Sequence, residues 1–86
     1  MFDARPQSEV FRTELALRRI DASRNMRRFY RMSIRRDLFG RASLVREWGR
    51  IGTRGQFLVE SHSDEGEAAK SLQRLAAVKR RRGYAP

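Results

Sequence analysis

The stretch that decides the fold of this chain lies at its centre and reads Arg46-Glu47-Trp48-Gly49-Arg50-Ile51-Gly52-Thr53-Arg54-Gly55. It holds the only tryptophan and three of the six glycines. Side chains two apart in a β-strand point to the same face, so Arg46, Trp48 and Arg50 would project together. The stretch therefore predicts a strand that presents a flat indole ring between two guanidinium groups.

Such a triplet suits contact with a nucleic acid. An indole can stack on an accessible base or sugar, and arginine can grip a phosphate with two parallel hydrogen bonds. An isolated Trp-Gly-Arg tripeptide is, however, more often a core tryptophan flanked by surface arginines. The surrounding sequence has to decide between these two interpretations.

Alternation of apolar and polar residues predicts four strands, at residues 10–20, 26–36, 42–51 and 56–62. In the first two strands the apolar side is expected to face the core. That side comprises Phe11, Leu15 and Leu17 in the first strand, and Tyr30, Met32 and Ile34 in the second.

The third and fourth strands alternate less cleanly. Val45, Gly49 and Ile51 are expected to face the helix, which leaves Glu47 on the same side. Either a bulge near Gly49 resets the alternation, or Glu47 lies at the rim beside an arginine. Phe57 and Val59 are expected to point inward from the fourth strand. In the turn before the third strand, Gly40 can take a positive φ and Phe39 is expected to pack over the turn.

The last third of the chain predicts one amphipathic helix over residues 64–82, with Ser63 as N-cap and Gly83 as the stop. Its apolar stripe is Ala68, Leu72, Leu75 and Ala76. Lys79, Arg80, Arg81 and Arg82 complement the negative end of the helix dipole. The fold class predicted is therefore α+β, an antiparallel sheet of about four strands with one C-terminal helix packed across it.

The chain has 86 residues, with 20 Lys and Arg against 10 Asp and Glu, a net charge of +10, and no cysteine. This length suits a single domain, expected over residues 10–86 and preceded by a flexible arm at 1–9. The charge indicates a polyanionic partner. Without cysteine there is no disulfide framework or zinc finger, and no targeting or membrane segment is visible, so a cytoplasmic location is expected, nucleoid-associated in a bacterium.

The Trp-Gly-Arg tripeptide lies inside a longer pattern of segments. These are Asn25 with Phe29-Tyr30, Ser43 through Gly52, Gly55-Gln56, and a helix ending in Lys79 to Tyr84. In this order they resemble a WGR domain. That family is named for its Trp-Gly-Arg signature and occurs beside the catalytic domain of DNA-dependent poly(ADP-ribose) polymerases and as small domains in bacteria. The resemblance implies DNA binding.

In those polymerases the signature tryptophan stacks against the sugar near a broken strand's terminus, and the arginine meets the nearby backbone. The resemblance therefore implies these roles for Trp48 and Arg50, with Gly49 as the spacer. In those enzymes the domain also transmits the detection of a DNA break to the catalytic domain. For this chain, such a role would require a separate protein that supplies the catalysis.

The function expected is non-enzymatic binding of double-stranded DNA, at its backbone and at strand ends, nicks or breaks, without sequence specificity. The supporting residues expected beside Trp48, Gly49 and Arg50 are Arg46, Arg54, Lys79, Arg80 and Arg81. Four or five phosphate contacts would give a salt slope of roughly −3.5 to −4.5. The turn of residues 52–55 could add backbone N–H groups as a small anion nest.

The alternative is a protein interaction module in which the same tryptophan and basic face bind an acidic protein. RNA also remains open, because stacking and phosphate contacts serve both polymers. No nucleophile with a base and no metal cluster is visible, so neither an enzyme, a cofactor nor a small-molecule substrate is expected. The lone His62 is assigned no role.

Overall fold

A computed structural model describes residues 13–86 of the chain. The predicted arm at 1–9 and the start of the first predicted strand, residues 10–12, lie outside these residues. The elements are β1 (Glu14–Asp21), a single 3-10 turn (Ala22–Arg24), β2 (Met26–Arg36), β3 (Ala42–Arg50), β4 (Gln56–His62) and α1 (Glu65–Arg81). The strands form one antiparallel sheet in the order β1-β2-β3-β4. The predicted α+β class is confirmed.

One face of the sheet packs against α1 and forms the core. The buried side chains in this cluster are Leu15, Leu17, Tyr30, Met32, Leu44, Leu72 and Ala76. The core-facing sides predicted for β1 and β2 are therefore confirmed among the described residues. On the helix, Ala68, Leu72 and Ala76 are buried as predicted, and Leu75 is partly buried against the cluster.

The prediction of which side of β3 faces the helix is wrong. Leu44 is fully buried, so the even-numbered residues of β3 face α1, and Val45, Glu47 and Gly49 lie on the opposite, open face. The pairing with β2 runs without a bulge from Arg28↔Arg50 to Arg36↔Ala42. Glu47 is instead matched by Arg31 across the strand pair, at 3.1 Å. The predicted bulge is therefore absent from β3, and Glu47 lies beside an arginine as the other alternative had it, but on the open face of the sheet and not on the helix side.

The prediction of which side of β4 points inward is wrong as well. Phe57 and Val59 are 70% and 50% exposed on the open face. Glu60 and His62 share the other face, where Glu60 accepts a hydrogen bond from Ser71 of α1. The physical reason is that β4 is an edge strand, where the polar side chains find partners on the helix side and the apolar ones do not.

The turns and the helix start differ in detail from the prediction. Gly40 has φ 84°, as predicted, but Phe39 is 87% exposed, because the turn is closed by the Asp37 carboxylate rather than by an apolar contact. The N-cap of α1 is Asp64 and not Ser63, since the Asp64 side chain accepts from the Glu67 N–H at 2.9 Å. Within residues 13–86 no helix is long and apolar enough to cross a membrane.

The chain after α1 returns to the sheet. Gly83, with φ 97°, ends the helix as predicted. The following Tyr84 packs against the core, and the backbone of Ala85 exchanges two hydrogen bonds with Arg18 of β1, at 2.7 and 2.8 Å. This return places Tyr84 beside the last turn of α1 and the strand ends that carry the central signature.

Candidate nucleic-acid interface

Trp48 lies at the end of β3, directly opposite Tyr30 in the sheet register. It is partly buried and packs against the core, with its ring centroid 6.3 Å from that of Tyr30 and the two planes tilted by 31°. The ring is thus partly exposed, between the exposed ring that the sequence predicted and the core tryptophan that was its alternative. Part of its surface is held by the core and part is available to a partner.

A surface cleft of about 420 Å³ lies beside Trp48. Its lining residues are Arg28, Trp48, Gly49, Arg50, Lys79 and Tyr84. Three of the six carry positive charge, two are aromatic and none is acidic. The fold therefore brings the whole Trp-Gly-Arg signature together with the end of α1, and adds Arg28 and Tyr84.

Arg50 is exposed and is oriented by the turn before β2. Its Nη1 and Nη2 donate to the Asn25 carbonyl oxygen and side-chain oxygen at 3.2 and 3.3 Å. Asn25 adopts a left-handed conformation, φ 52°, which asparagine tolerates better than most residues. The guanidinium is thus held at the cleft by uncharged partners.

Lys79 sits against aromatic rings rather than in open solvent. Its Nζ lies 4.4 Å from the Tyr30 ring centroid and 5.5 Å from that of Tyr84, both within cation–π range. Burial, followed by the positive charges of Arg82, Arg46 and Arg28, lowers the pKa of Lys79. An anion bound in the cleft would offset this crowding of positive charge.

Arg46 faces the same side but has partners of its own. Its Nη1 donates to Glu60 Oε2 and its Nε to the Tyr30 hydroxyl, both at 2.7 Å. Burial alone would lower the pKa of Arg46, but these two hydrogen bonds outweigh it and raise the pKa. The Arg46 side chain does not line the cleft, and its charge is already matched by a carboxylate.

Glu60 is the hub of this polar cluster. It also lies 3.4 Å from His62 Nε2 and accepts from Ser71 Oγ at the same distance. Burial acts to raise the pKa of Glu60, yet the hydrogen bonds from Arg46 and His62 hold it below its usual value. The cluster fixes Tyr30, and so the surface on which Trp48 and Lys79 rest.

Gly49 serves a close backbone approach, although not the approach to the helix that the sequence suggested. A Cβ at Gly49 would lie 2.7 Å from the Gly55 Cα, and a Cβ at Gly55 would overlap the Trp48 carbonyl oxygen. Gly55 also has φ 75°. The two glycines let the turn after β3 fold back tightly on the signature.

The remaining predicted residues lie elsewhere. Arg54 is exposed on that turn and lines a separate cleft with Val45, Glu47 and Phe57. Arg80 and Arg81 are exposed on the last turn of α1 and do not line the cleft of Trp48.

Arg28 and Tyr84 were not singled out from the sequence. Arg28 could have been found by pairing the two strands about the turn at Phe39, which places it opposite Arg50. Tyr84 ends the segment that carried the family resemblance, but no periodicity marked it as part of a site.

Comparison with known proteins gives a family match. The family model described as WGR domain matches residues 13–86. The chain is 49% identical over 72 residues to the Uncharacterized protein y4dW of Sinorhizobium fredii (strain NBRC 101917 / NGR234), covering 84% of this chain and 35% of that protein. It is 46% identical over 37 residues to Protein YehF of Escherichia coli (strain K12), covering 43% and 14% respectively. The chain thus spans only a minor part of either relative, and no solved structure matches it.

Proposed function

Because the chain belongs to the WGR domain family, whose members are in general nucleic-acid-binding modules, we propose that it binds DNA through the cleft beside Trp48. The observation that carries the proposal is the composition of this cleft. Arg28, Arg50 and Lys79 surround the partly exposed indole, with no acidic side chain among the lining residues. Such a site suits a phosphate flanked by a sugar or base.

Binding is proposed to be independent of sequence. Helix α1 is committed to the core along its apolar stripe, and only its final turn reaches the cleft, so it cannot lie in a major groove as a recognition helix does. The cleft side chains are arginine, lysine and aromatic rings, which contact phosphates and stack without reading base edges in order.

A preference for strand ends and nicks follows from the position of Trp48. Within a closed duplex each sugar and base is covered by its neighbours, whereas an interrupted strand leaves one terminal face accessible to a ring. Arg50, two residues away on the same face, would then meet the adjoining phosphate. The charges of Arg54, Arg80 and Arg81 would add contacts farther along the backbone.

The test compares a blunt duplex, a nicked duplex and a closed circle by fluorescence anisotropy and competition. Trp48→Leu keeps apolar volume against Tyr30 but removes the flat ring, and base–aromatic stacking is worth about 1–3 kcal/mol. We expect it to weaken nicked-duplex binding roughly 5- to 150-fold and to abolish the preference over the circle.

Arg50→Met and Arg41→Met form the matched pair for charge. Arg41 is exposed at the opposite end of the β2–β3 pair, beyond Arg36↔Ala42. Both variants lose one charge, but only Arg50→Met should weaken the nicked duplex substantially. Equal losses from the two variants, or an unchanged preference after Trp48→Leu in a folded protein, would refute this site.

A further inference from the structure

The two edges of the sheet are protected very differently. The edge strand β1 carries Glu14, Arg18, Arg19 and Asp21, and the backbone of Arg18 is covered by Ala85. The other edge, β4, reads Gln-Phe-Leu-Val-Glu-Ser-His and contains no lysine, arginine or proline. Charged side chains, proline and coverage are the usual means by which an edge strand avoids pairing. The only acidic side chain of β4 is Glu60, and it forms an ion pair with Arg46. Its charge is therefore already neutralised by a neighbour within the same chain.

The hydrogen-bond pattern shows which backbone groups of β4 point outward. The Ile51 N–H donates to the Arg27 carbonyl, so odd-numbered residues of β3 bond to β2 and even-numbered ones to β4. Through the pairs Leu44↔Glu60 and Trp48↔Gln56, the even residues of β4 bond back to β3. The outward residues are therefore Phe57, Val59 and Ser61.

These outward groups have no partner among residues 13–86, since none of their N–H or C=O groups hydrogen-bonds to another described residue outside the ladder. At the middle of the strand, three successive side chains are apolar and alternate between its two faces. Phe57, Leu58 and Val59 are 70%, 46% and 50% exposed. A strand with free backbone groups and apolar faces is a template for a further strand.

We propose that β4 pairs with β4 of a second copy of this chain, antiparallel about a two-fold axis at Val59, to give one continuous eight-stranded sheet. This register sets Val59 opposite Val59 of the second copy, and Phe57 opposite its Ser61. All three outward residues of each strand then exchange N–H···O=C bonds in pairs. Six inter-chain hydrogen bonds result from the three residue pairs.

The occupant is a second copy because the strand is self-complementary in charge and shape. Each copy carries a net charge of +10, so two copies repel each other, and the repulsion is weakest where basic side chains are absent from the contact. β4 is such a place. Val59 against Val59 pairs two β-branched side chains across the axis, and isologous contact closes the assembly at two copies. None of the residues lining the Trp48 cleft belongs to β4, so both clefts stay accessible.

The test is the mass of the full chain by sedimentation equilibrium over a range of protein and salt concentrations. We expect a monomer–dimer equilibrium that salt strengthens, because screening weakens the repulsion between the two positive copies. DNA binding has the opposite salt dependence. This inference is independent of the proposed function. A monomer that binds DNA would contradict only the dimer, and a dimer that does not bind DNA would contradict only the proposed function.

Val59→Pro removes an N–H that points outward, so it leaves the β3–β4 ladder intact while blocking the new pairing. Val59→Lys places a charge on the axis and tests the same edge without changing the backbone. Both should be monomeric under conditions where the wild type dimerises, with an unchanged affinity for duplex DNA. A wild type that stays monomeric across the series, or Val59 variants that dimerise equally, would overturn the proposal.

The register is tested by cysteine, since the chain has none of its own. Cα atoms across such a pair lie about 5.5 Å apart, within the range for a disulfide. Val59→Cys should therefore give a disulfide-linked dimer much faster than Leu38→Cys, a residue 96% exposed at the β2–β3 turn. Equal rates for the two variants would rule out the two-fold axis at Val59.

Discussion

Replacing Lys79 by methionine is expected to remove one phosphate contact from DNA binding while keeping most of the packing on Tyr30. The cleft gathers three cations, Arg28, Arg50 and Lys79. If each neutralises one duplex phosphate, the slope of log K against log salt is about −0.9 per contact, or about −2.7 in all. Lys79→Met should reduce it to about −1.8.

The matched control is Lys70→Met, which removes the same charge from the same helix. The Lys70 side chain is 72% exposed and lies 3.5 Å from Glu67, away from the cleft. Raising salt from roughly 50 to 200 mM should weaken wild type and Lys70→Met about 40-fold, and Lys79→Met only about 12-fold. Anisotropy titrations at four salt concentrations measure these slopes.

Two results would refute this reasoning. Equal slopes for Lys79→Met and wild type, in a protein whose circular dichroism is unchanged, would mean that Lys79 meets no phosphate. Equal reductions from both lysine variants would mean that binding follows net charge rather than the cleft. A wild-type slope of about −5.4 would instead add the exposed Arg54, Arg80 and Arg81 to the footprint.

Three further predictions concern the fold that supports the cleft. Gly49→Ala should destabilise the protein by about 1–3 kcal/mol in urea unfolding, because its Cβ would press on the backbone of the next turn; an unchanged midpoint would contradict the close approach. Asp64→Ala should cost about 1 kcal/mol and Ser63→Ala nearly nothing, a ranking that reverses if Ser63 is the N-cap. The folded-state pKa of Glu60 is lowered from its usual 4.5, so its stabilisation is present above that pH and lost as the pH falls further. Glu60→Gln should therefore flatten the acid limb of stability against pH, whereas parallel curves would place the acid sensitivity elsewhere.

The sequence predicted β2 and β4 at the bounds the structure gives, residues 26–36 and 56–62, and β3 and α1 within one residue at their ends. These elements are local in origin. Alternation sets a strand, and a glycine such as Gly40 or Gly83 ends or reverses it through a positive φ. The shared face of Arg46, Trp48 and Arg50 follows from the same two-residue period and is confirmed by the register.

Which face of β3 and β4 meets the helix could not be read in the same way. Both faces of β3 mix apolar and charged residues, and in β4 the more apolar face is the exposed one. The two-residue period can therefore be read from the sequence, but not which of the two faces is buried. The phase was fixed by partners distant in sequence: Leu44 fits the core, and Arg46 meets Glu60 and Tyr30. A charged residue can face a helix only where such partners exist, and no local pattern reports them.

By itself the sequence determined the α+β class, the order of the elements, the positive charge and the central Trp-Gly-Arg strand, because each depends on residues close together in the chain. Tertiary structure alone decided that Arg28 and Tyr84 join Trp48, Arg50 and Lys79 in one cleft, while Arg46 is matched by an acid. The reason is that a cleft is formed by chain segments that only strand pairing and helix packing bring together, and its net charge depends on which ions those same contacts leave unpaired.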